Sequence, residues 1–384
     1  MKINKWTLGL ASVGLVSLAS VAQAEETVPL TTALSSTVIS GYVDVSAVWN
    51  PGTGNINSPP VAFYPGKQDG FNLNVVNLTL EKPLDEGEWS AGYKAELLFG
   101  PDAVGYNASA NGDATSDFAV KQAYVALRAP VGNGLDLKVG TFDTIVGYES
   151  FSSHRNPNYT RSYGYTIEPT QHTGVLASYQ FSDIVGASFG VANTLNPGIN
   201  TRSARAESHK TYMGSVTLTA PDSMGVLAGS ALYLGVVDGF AGGTEDQTSY
   251  YVGATIATPV AGLRLGAAFD HANDFQGNTA ALAGAPLGDI KAYALYASFQ
   301  ATEKLSLHGR GEYVKASVPG AKDIDGYALT GTVQYDLWQN VISRLEVRWD
   351  HIKDAPVQFG GTPGGSPARK DDAFMVAANL IYVF

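Results

Sequence analysis

The chain contains no cysteine among its 384 residues. A small secreted domain held by disulfides is therefore excluded, together with thiol catalysis and cysteine-bound metals. After residue 24 no apolar run approaches the roughly 18 residues of a helical membrane span, so such spans are excluded as well. Charged residues make up only 15% of the chain, and its net charge is −11 without a basic cluster. An acidic chain of this kind argues against nucleic acid as a partner.

The first 24 residues have the pattern of a secretory signal. Lys2 and Lys5 form a basic start, a mildly apolar stretch follows, and Ala22-Gln23-Ala24 supplies small residues at a cleavage site. This pattern predicts a cleaved signal peptide, 1–24, and therefore export. A short polar lead, 25–37, would precede the folded part.

From residue 38 onward the sequence alternates between apolar and polar residues with a period of two, which predicts strands with one apolar face. Short turns and long loops alternate between these strands, and about sixteen of them span the chain to residue 384. The predicted strands are Val38–Trp49, Phe71–Lys82, Trp89–Phe99, Phe118–Ala129, Leu135–Phe142, Gly174–Phe181, Ile184–Thr194, Thr211–Ala220, Val226–Val237, Ser249–Thr258, Leu263–His271, Ile290–Ala301, Leu305–Ala316, Gly326–Leu337, Ser343–Ile352 and Asp372–Phe384.

Three features favour a membrane barrel over a soluble sandwich. Most predicted strands are long enough to cross a bilayer, which takes about 9–11 residues. Charges gather on one face only, as in Ser343–Ile352, where Arg344, Glu346, Arg348 and Asp350 alternate with apolar residues. Such a face can line a wet channel, whereas the dry core of a sandwich could not hold it. Aromatic residues on the apolar face lie near both strand ends, as membrane interfaces require.

The fold class predicted is therefore all-β: a closed antiparallel transmembrane β-barrel of about 16 strands, 38–384, with long extracellular loops and short periplasmic turns. Closure is expected because sixteen long strands in an open sheet would leave two edges prone to aggregation. Pairing of the first strand with the last removes both edges.

The longest interruption of the alternation is residues 143–173, between the fifth and sixth predicted strands. Structureless segments of this length are uncommon and usually functional. We interpret this segment as a loop folded into the lumen, where it would narrow a pore.

Charged residues at the predicted constriction and along the lumen are the candidate functional residues. Opposite the loop, Arg310 and Arg348 would form a basic wall facing an acidic loop. The predicted constriction residues are Asp143, Glu149, Arg155, Arg161, Arg310 and Arg348. The predicted lumen-lining residues are Lys94, Glu96, Arg264, Glu312, Arg344, Glu346 and Asp350. Two interpretations stay open: a field across the pore, or a lattice of ion pairs that keeps the barrel round.

Enzymatic and metal-binding interpretations have weaker support. A hydrolase site at the rim would use Asp270, His271 and Asp274, but no serine is fixed near them. Residues 270–278 could instead hold calcium, although their spacing is not that of an EF-hand. No histidine spacing indicates a metal site. We predict no catalysis, no cofactor and no metal.

The chain resembles bacterial outer-membrane porins in strand number, loop alternation and its aromatic C-terminus. More narrowly, GTFDTIVGYE (140–149), NPNYTRSYGY (156–165), FNLNVVNLTLEKPL and KAELLFGPDA resemble the OmpL-like β-barrel porin family. The resemblance implies a passive diffusion channel in the bacterial outer membrane, in contact with outer-membrane lipid and with small hydrophilic solutes. The ending NLIYVF, which closes at Phe384, resembles the signal read by the outer-membrane assembly machinery. Porins of this size commonly form homotrimers. The alternative function is a structural or adhesive barrel with a plugged lumen.

Overall fold

A computed structural model of the chain describes residues 36–52, 59, 67, 69–104, 116–195, 198–203, 208–240, 246–275, 287–353, 359–361 and 370–384. The predicted signal peptide, 1–24, and most of the predicted lead, 25–37, lie outside this described part. Within the described part, no helix is long and apolar enough to cross a membrane.

Sixteen strands of 8 to 15 residues form the described fold. In chain order they are β1 Val38–Trp49, β2 Gly70–Lys82, β3 Ser90–Phe99, β4 Phe118–Ala129, β5 Leu135–Asp143, β6 Gln171–Gln180, β7 Val185–Ala192, β8 Thr211–Thr219, β9 Ala231–Phe240, β10 Asp246–Ala257, β11 Leu263–Asn273, β12 Ile290–Gln300, β13 Leu305–Ala316, β14 Ile324–Trp338, β15 Val341–Lys353 and β16 Asp372–Val383. One short α-helix, α1 (Tyr163–Ile167), and three 3-10 segments, Pro101–Ala103, Ser153–Arg155 and Asp222–Leu227, complete it.

The strands form one closed antiparallel barrel, which confirms the predicted fold class. Each strand pairs with its neighbours in sequence, and β1 pairs with β16 with Ala47 opposite Ala378. Gly41 and the terminal Phe384 exchange two backbone hydrogen bonds of 2.9 Å at this seam. No strand of the ring is therefore left with an open edge.

The two faces of the barrel differ in polarity as the alternation predicted. On the outer face Leu295 and Trp338 are 70% and 71% exposed, and aromatic rings of neighbouring strands contact one another near the long-loop end. Phe269, Tyr293 and Tyr313 form one such row, with centroid distances of 4.9 and 6.0 Å. Apolar side chains facing outward with aromatics at the edge are typical of a surface against lipid.

The start of β9 was predicted too early. The prediction placed it at Val226, but the strand begins at Ala231. The residues between β8 and β9 form the 3-10 segment Asp222–Leu227, in which Gly225 has a positive φ of 59°. A left-handed residue of this kind turns the chain, so the apolar residues Val226 and Leu227 belong to the turn and lie exposed.

A β-bulge in β4 changes which side chains face the lumen. Strict alternation assigns Lys121 to the outer face, where a lysine at mid-bilayer would cost about 2–4 kcal/mol. The β3–β4 register shifts between Glu96 and Leu97, so consecutive residues Lys121 and Gln122 both reach Glu96 from inside. A bulge re-aims side chains in this way. It removes an unpaired lysine from the lipid-facing surface.

Candidate functional site

The segment between β5 and β6, residues 144–170 and called the insert below, lies inside the barrel. Of residues 145–165 all are buried except His154 and Arg155. The insert is held by side chains on the inner faces of β13, β14 and β15, across the barrel from its own strands. Its placement therefore depends on contacts between parts of the chain that are far apart in sequence.

Glu346 on β15 is the most direct anchor. Its Oε2 accepts hydrogen bonds from the backbone N–H of Tyr159 (2.6 Å) and from Thr332 Oγ1 (2.7 Å). Its Oε1 accepts from the backbone N–H (3.0 Å) and the hydroxyl (2.6 Å) of Thr160. Glu346 is completely buried. Four donors thus surround one carboxylate, and two of them are backbone groups that fix the path of the insert.

Ion pairs join the insert to the same wall. Arg310 donates to Glu149 of the insert at 2.7 Å and to Glu312 on its own strand at 2.7 Å. Arg348 donates to Glu312 at 2.9 Å and to Asp350 at 2.7 Å. The arginine side chains are 0% and 1% exposed. Breaking such a buried pair costs about 3–5 kcal/mol, because a charge would be left without a partner.

Two further arginines bind backbone carbonyls of the insert. Arg344 donates to the carbonyls of Ser153 (2.9 Å) and Asn156 (2.6 Å). Arg161 is completely buried and donates to the carbonyls of Ser150, Phe151 and Tyr159, all at 2.8 Å. Arg161 therefore acts within the insert and closes it on itself. A guanidinium suits this role because it carries five donors in a rigid plane.

Apolar contacts hold the start of the insert against β9, β11 and β12. The Tyr148 and Tyr296 rings are stacked, with centroids 3.9 Å apart and an interplanar angle of 12°. A Cβ added to Gly266 would lie 1.8 Å from the Tyr148 hydroxyl, so only glycine leaves room for this ring. Ile145 and Val146 are buried in the same apolar cluster. Packing thus fixes the start of the insert, and polar bonds fix its middle.

The end of the insert meets β11 through two carboxyl groups. The Glu168 side chain interacts with Asp270, whose Oδ1 has no hydrogen-bond partner among the described residues. Burial raises the pKa of Glu168 well above its usual range, and the neighbouring Asp270 carboxyl raises it further. Gly147 and Gly164 allow the approach, since a Cβ on either would lie 2.3 Å from one of these carboxyl oxygens.

His154 and Arg155 lie where the insert faces away from β13–β15. The His154 ring lies against Tyr42 with centroids 4.7 Å apart. Burial, together with the charges of Arg155 and Arg344, lowers the pKa of His154 to about 3. Arg155 is exposed, and no carboxylate of the described part pairs with it.

The structure separates the predicted site residues into two groups. Glu149, Arg161, Arg310, Arg348, Glu312, Arg344, Glu346 and Asp350 meet at the buried contact between the insert and β13–β15. An acidic residue of the loop does face a basic wall, but the two form direct ion pairs that are buried away from water. The sequence predicts Arg310 and Arg348 beside an open pore. Their observed position differs because Glu149, Glu312 and Asp350 reach them.

The second group lies along β2–β5. Lys94 lies 3.6 Å from Glu81 and 3.8 Å from Glu96, while Lys121 lies 2.5 Å from Asp143. The side chains of Glu81 and Asp143 are 38% and 29% exposed, in contrast to the closed ion pairs on β13–β15. Arg264 belongs to neither group, since it lies exposed near Gly229 at the short-turn end.

Three further residues of this wall, Lys121, Tyr124 and Lys138, have no site role predicted from sequence. Tyr124 and Lys138 face the lumen and are half-buried, and the Lys138 ammonium lies 5.0 Å from the centre of the Tyr124 ring. The alternation of apolar and polar residues already places Tyr124 and Lys138 on the inner faces of their strands. It does not place Lys121 there, because the bulge that turns it inward has no signal in a single sequence.

The residues of the alternative hydrolase site do not come together. Asp270 points inward and is buried against Gly164, whereas His271 lies on the outer face between Tyr250 and Asp289. Consecutive strand residues point to opposite faces, so the two cannot share a substrate. Of the suggested calcium segment, residues 276–278 lie outside the described part. No group of three metal-ligating side chains occurs among the described residues.

A sixteen-stranded antiparallel barrel with an apolar belt, a polar interior and a loop folded inward defines the class of outer-membrane porins. The family described as "Putative beta-barrel porin-2, OmpL-like" matches residues 36–384. The chain belongs to this family, and its place is the bacterial outer membrane.

Solved porin structures share the fold at low sequence identity. An anion-selective porin from Comamonas acidovorans is 15% identical with a TM-score of 0.57, and the match covers 91% of this chain and 99% of that one. OmpF of Salmonella typhi, in complex with daunomycin, is 13% identical with a TM-score of 0.61, covering 91% and 97%. OmpT of Vibrio cholerae is 15% identical with a TM-score of 0.55, covering 91% and 97%. Among curated proteins, no match was found.

Proposed function

We propose that the protein is a passive diffusion channel for small hydrophilic solutes, in which the insert narrows the lumen to a passage along β2–β5. One observation carries this proposal: the buried ion pairs and most of the side-chain hydrogen bonds that hold the insert lie on one wall, β13–β15. Its contacts with β1–β4 are fewer and include the hydrogen bond of Tyr159 to Ser46 and the packing of the Phe151 ring. Carboxylates and arginines of β13–β15 bind its backbone and side chains, and these residues are 0–7% exposed. On the opposite wall, Glu81, Tyr124 and Lys138 face the lumen and keep contact with water.

A water-filled passage is consistent with the size of the barrel. Barrels of about sixteen strands leave room for an aqueous channel beside whatever lies inside them. Charged side chains that keep partial exposure also need water, because burying them dry would cost several kcal/mol each. The β2–β5 wall carries such partly exposed charged side chains, so the water should lie there. Passive transport through this water needs no chemical step.

Single-cysteine labelling tests this proposal directly, because the chain has no cysteine of its own. Lys138→Cys would place a thiol on the proposed passage, and Thr330→Cys would place one on the closed wall, where Thr330 is 5% exposed. In planar bilayers, a charged thiol reagent should reduce the current through Lys138→Cys and leave Thr330→Cys unchanged. Equal reactivity of both variants would show that the insert leaves the β13–β15 wall open.

The dense packing of the insert supports a second candidate, a structural or adhesive barrel with a plugged lumen. Arg161 and Tyr163 are almost completely buried, as in the core of a soluble domain. Under this alternative the purified protein, reconstituted at high density, would give no conductance above the bare membrane. Measurable ion flow with discrete steps would exclude the plug.

Three partners are part of the proposal: outer-membrane lipid, the assembly machinery and further copies of the same chain. The apolar belt would contact outer-membrane lipid. The C-terminal strand, which ends beside β1 at Phe384, would present the signal for the assembly machinery. A homotrimer is the assembly proposed for the membrane. Crosslinking of intact membranes would test the trimer, and truncation of Phe384 would test the signal by loss of assembled barrel.

A further inference from the structure

We propose that the passage along β2–β5 selects small anions that carry carboxylate or phosphate groups, with Lys138 and Arg155 as the residues that bind them. This inference rests on the proposed channel function and names its substrate class. It concerns a part of the lumen distinct from the closed ion pairs on β13–β15.

The lumen-facing charges of β2–β5, together with Arg155 of the insert, sum to one excess cation, since Arg128 and Asp136 pair with each other. Lys94, Lys121, Lys138 and Arg155 stand against three carboxylates, Glu81, Glu96 and Asp143. Lys94 and Lys121 are bound by these carboxylates. Lys121 lies between Glu96 and Asp143, and Lys94 lies near Glu81 and Glu96, so these two cations together offset two of the three negative charges. Lys138 lies in the field of Asp143 and Glu81 without forming an ion pair with either, and Arg155 forms none with a described carboxylate, so the four cations exceed the three carboxylates by one charge.

Lys138 is one of these free cations. Its ammonium lies over the Tyr124 ring, and no carboxylate of the described part pairs with it. Gly140 pairs with Tyr124 on the neighbouring strand, and a Cβ at this position would lie 2.8 Å from the Tyr124 Cα. Cation–π contact orients the ammonium but leaves its donors available. A solute passing this wall would therefore meet an ammonium held in place and ready to donate.

Arg155 is the other free cation, and it approaches from the insert. Its backbone is fixed by the 3-10 turn Ser153–Arg155, which Arg344 holds through the Ser153 carbonyl. Its side chain is exposed, and both Arg155 and Lys138 are electrostatic neighbours of Lys121. A free guanidinium donates two parallel hydrogen bonds to a carboxylate or a phosphate. One cation on the barrel wall and one on the insert would thus face a passing anion from two sides.

Low dielectric walls strengthen this effect. The protein around a narrow passage focuses the field of unpaired charges into the water, so an excess of positive charge raises the local concentration of anions. Salt screens this field over about 10 Å at 0.1 M and about 30 Å at 0.01 M. Anion preference should therefore be stronger in dilute salt.

The test compares reversal potentials of single channels in a potassium chloride gradient. The unmodified protein should prefer chloride. The double variant Lys138→Gln, Arg155→Gln should prefer potassium, because Glu81, Glu96 and Asp143 then outnumber Lys94 and Lys121. The matched control, Lys291→Gln with Lys315→Gln, loses the same charge from the outer face of β12 and β13. It should keep the chloride preference.

Orthophosphate serves as the ligand probe. It should reduce the chloride current, and the double Lys138 and Arg155 variant should need at least about tenfold more phosphate for the same reduction, since each lost charge-assisted bond weakens binding by that factor. A conducting channel without chloride preference, or one in which the double variant behaves like the control, would overturn the anion site and leave the channel standing. Absence of any conductance would overturn the channel itself.

Discussion

Replacement of Glu346 by glutamine should weaken the docking of the insert on the wall. The amide nitrogen is a donor, so whichever way the glutamine points, one backbone N–H of Tyr159 or Thr160 would face it. The hydroxyls of Thr160 and Thr332 can rotate and accept instead, but a backbone N–H cannot. A hydrogen bond to a charged group contributes about 1.5–3 kcal/mol, and the unpaired donor adds a comparable penalty. We expect docking of the insert to weaken by about 3 kcal/mol, or more than a hundredfold in its equilibrium.

Single-channel recording measures this equilibrium. The Glu346→Gln variant should show frequent transitions to a higher conductance, as the part of the insert around Tyr159 detaches from β15 and rebinds. Glu303→Gln is the control, since Glu303 is exposed in the turn between β12 and β13 and contacts no part of the insert. If Glu346→Gln gave the same conductance levels and dwell times as the unmodified protein, the carboxylate would not be an anchor.

Three further predictions concern the barrel, the bulge and pH. The unboiled protein should run at a different apparent size from the boiled protein on a denaturing gel, because a closed ring offers no edge at which unfolding begins; identical mobility would contradict a closed barrel. Lys121→Met should lower the temperature at which this mobility change occurs. The reason is that Glu96 and Asp143 lose their shared cation, at a cost of about 3–5 kcal/mol. The control Lys315→Met, on the outer face, should change this temperature little. For His154, whose pKa falls from the usual 6.5 to about 3, the unfolded state binds the proton below pH 6.5 and the folded state does not. Stability should therefore decrease as the pH falls from 6.5 towards 3, and His154→Asn should lose less stability over this range in melting curves; an equal loss would show that His154 does not contribute.

The barrel was predictable from the sequence because its signals are local. Each strand carries its own alternation, and the charge segregation of β15 identified the wet face without any knowledge of its neighbours. The start of β9 was missed because Val226 and Leu227 continue the apolar character of the strand into a turn that only the conformation of Gly225 reveals. Local patterns thus predict that a strand is present more reliably than they predict the residues at which it begins and ends.

The contacts of the insert were not predictable in the same way. Glu346 binds backbone N–H groups, and every residue except proline offers one, so the sequence of the insert contains no mark of its partner. Arg161 likewise binds carbonyls of its own loop, although its charge favoured an interpretation as a constriction residue. A side chain that binds backbone groups needs no particular partner residue, so the sequence does not reveal where it binds.

The anchors of the insert also determine the order in which the protein can fold. Glu149 and Tyr159 belong to a loop made early in the chain, yet their partners on β13 and β15 lie 161 and 187 residues further along. Contacts this remote form slowly, because the intervening chain must first be ordered. The insert therefore stays undocked until the last hairpins arrive, and the C-terminal strands that complete the ring also set the width of its lumen.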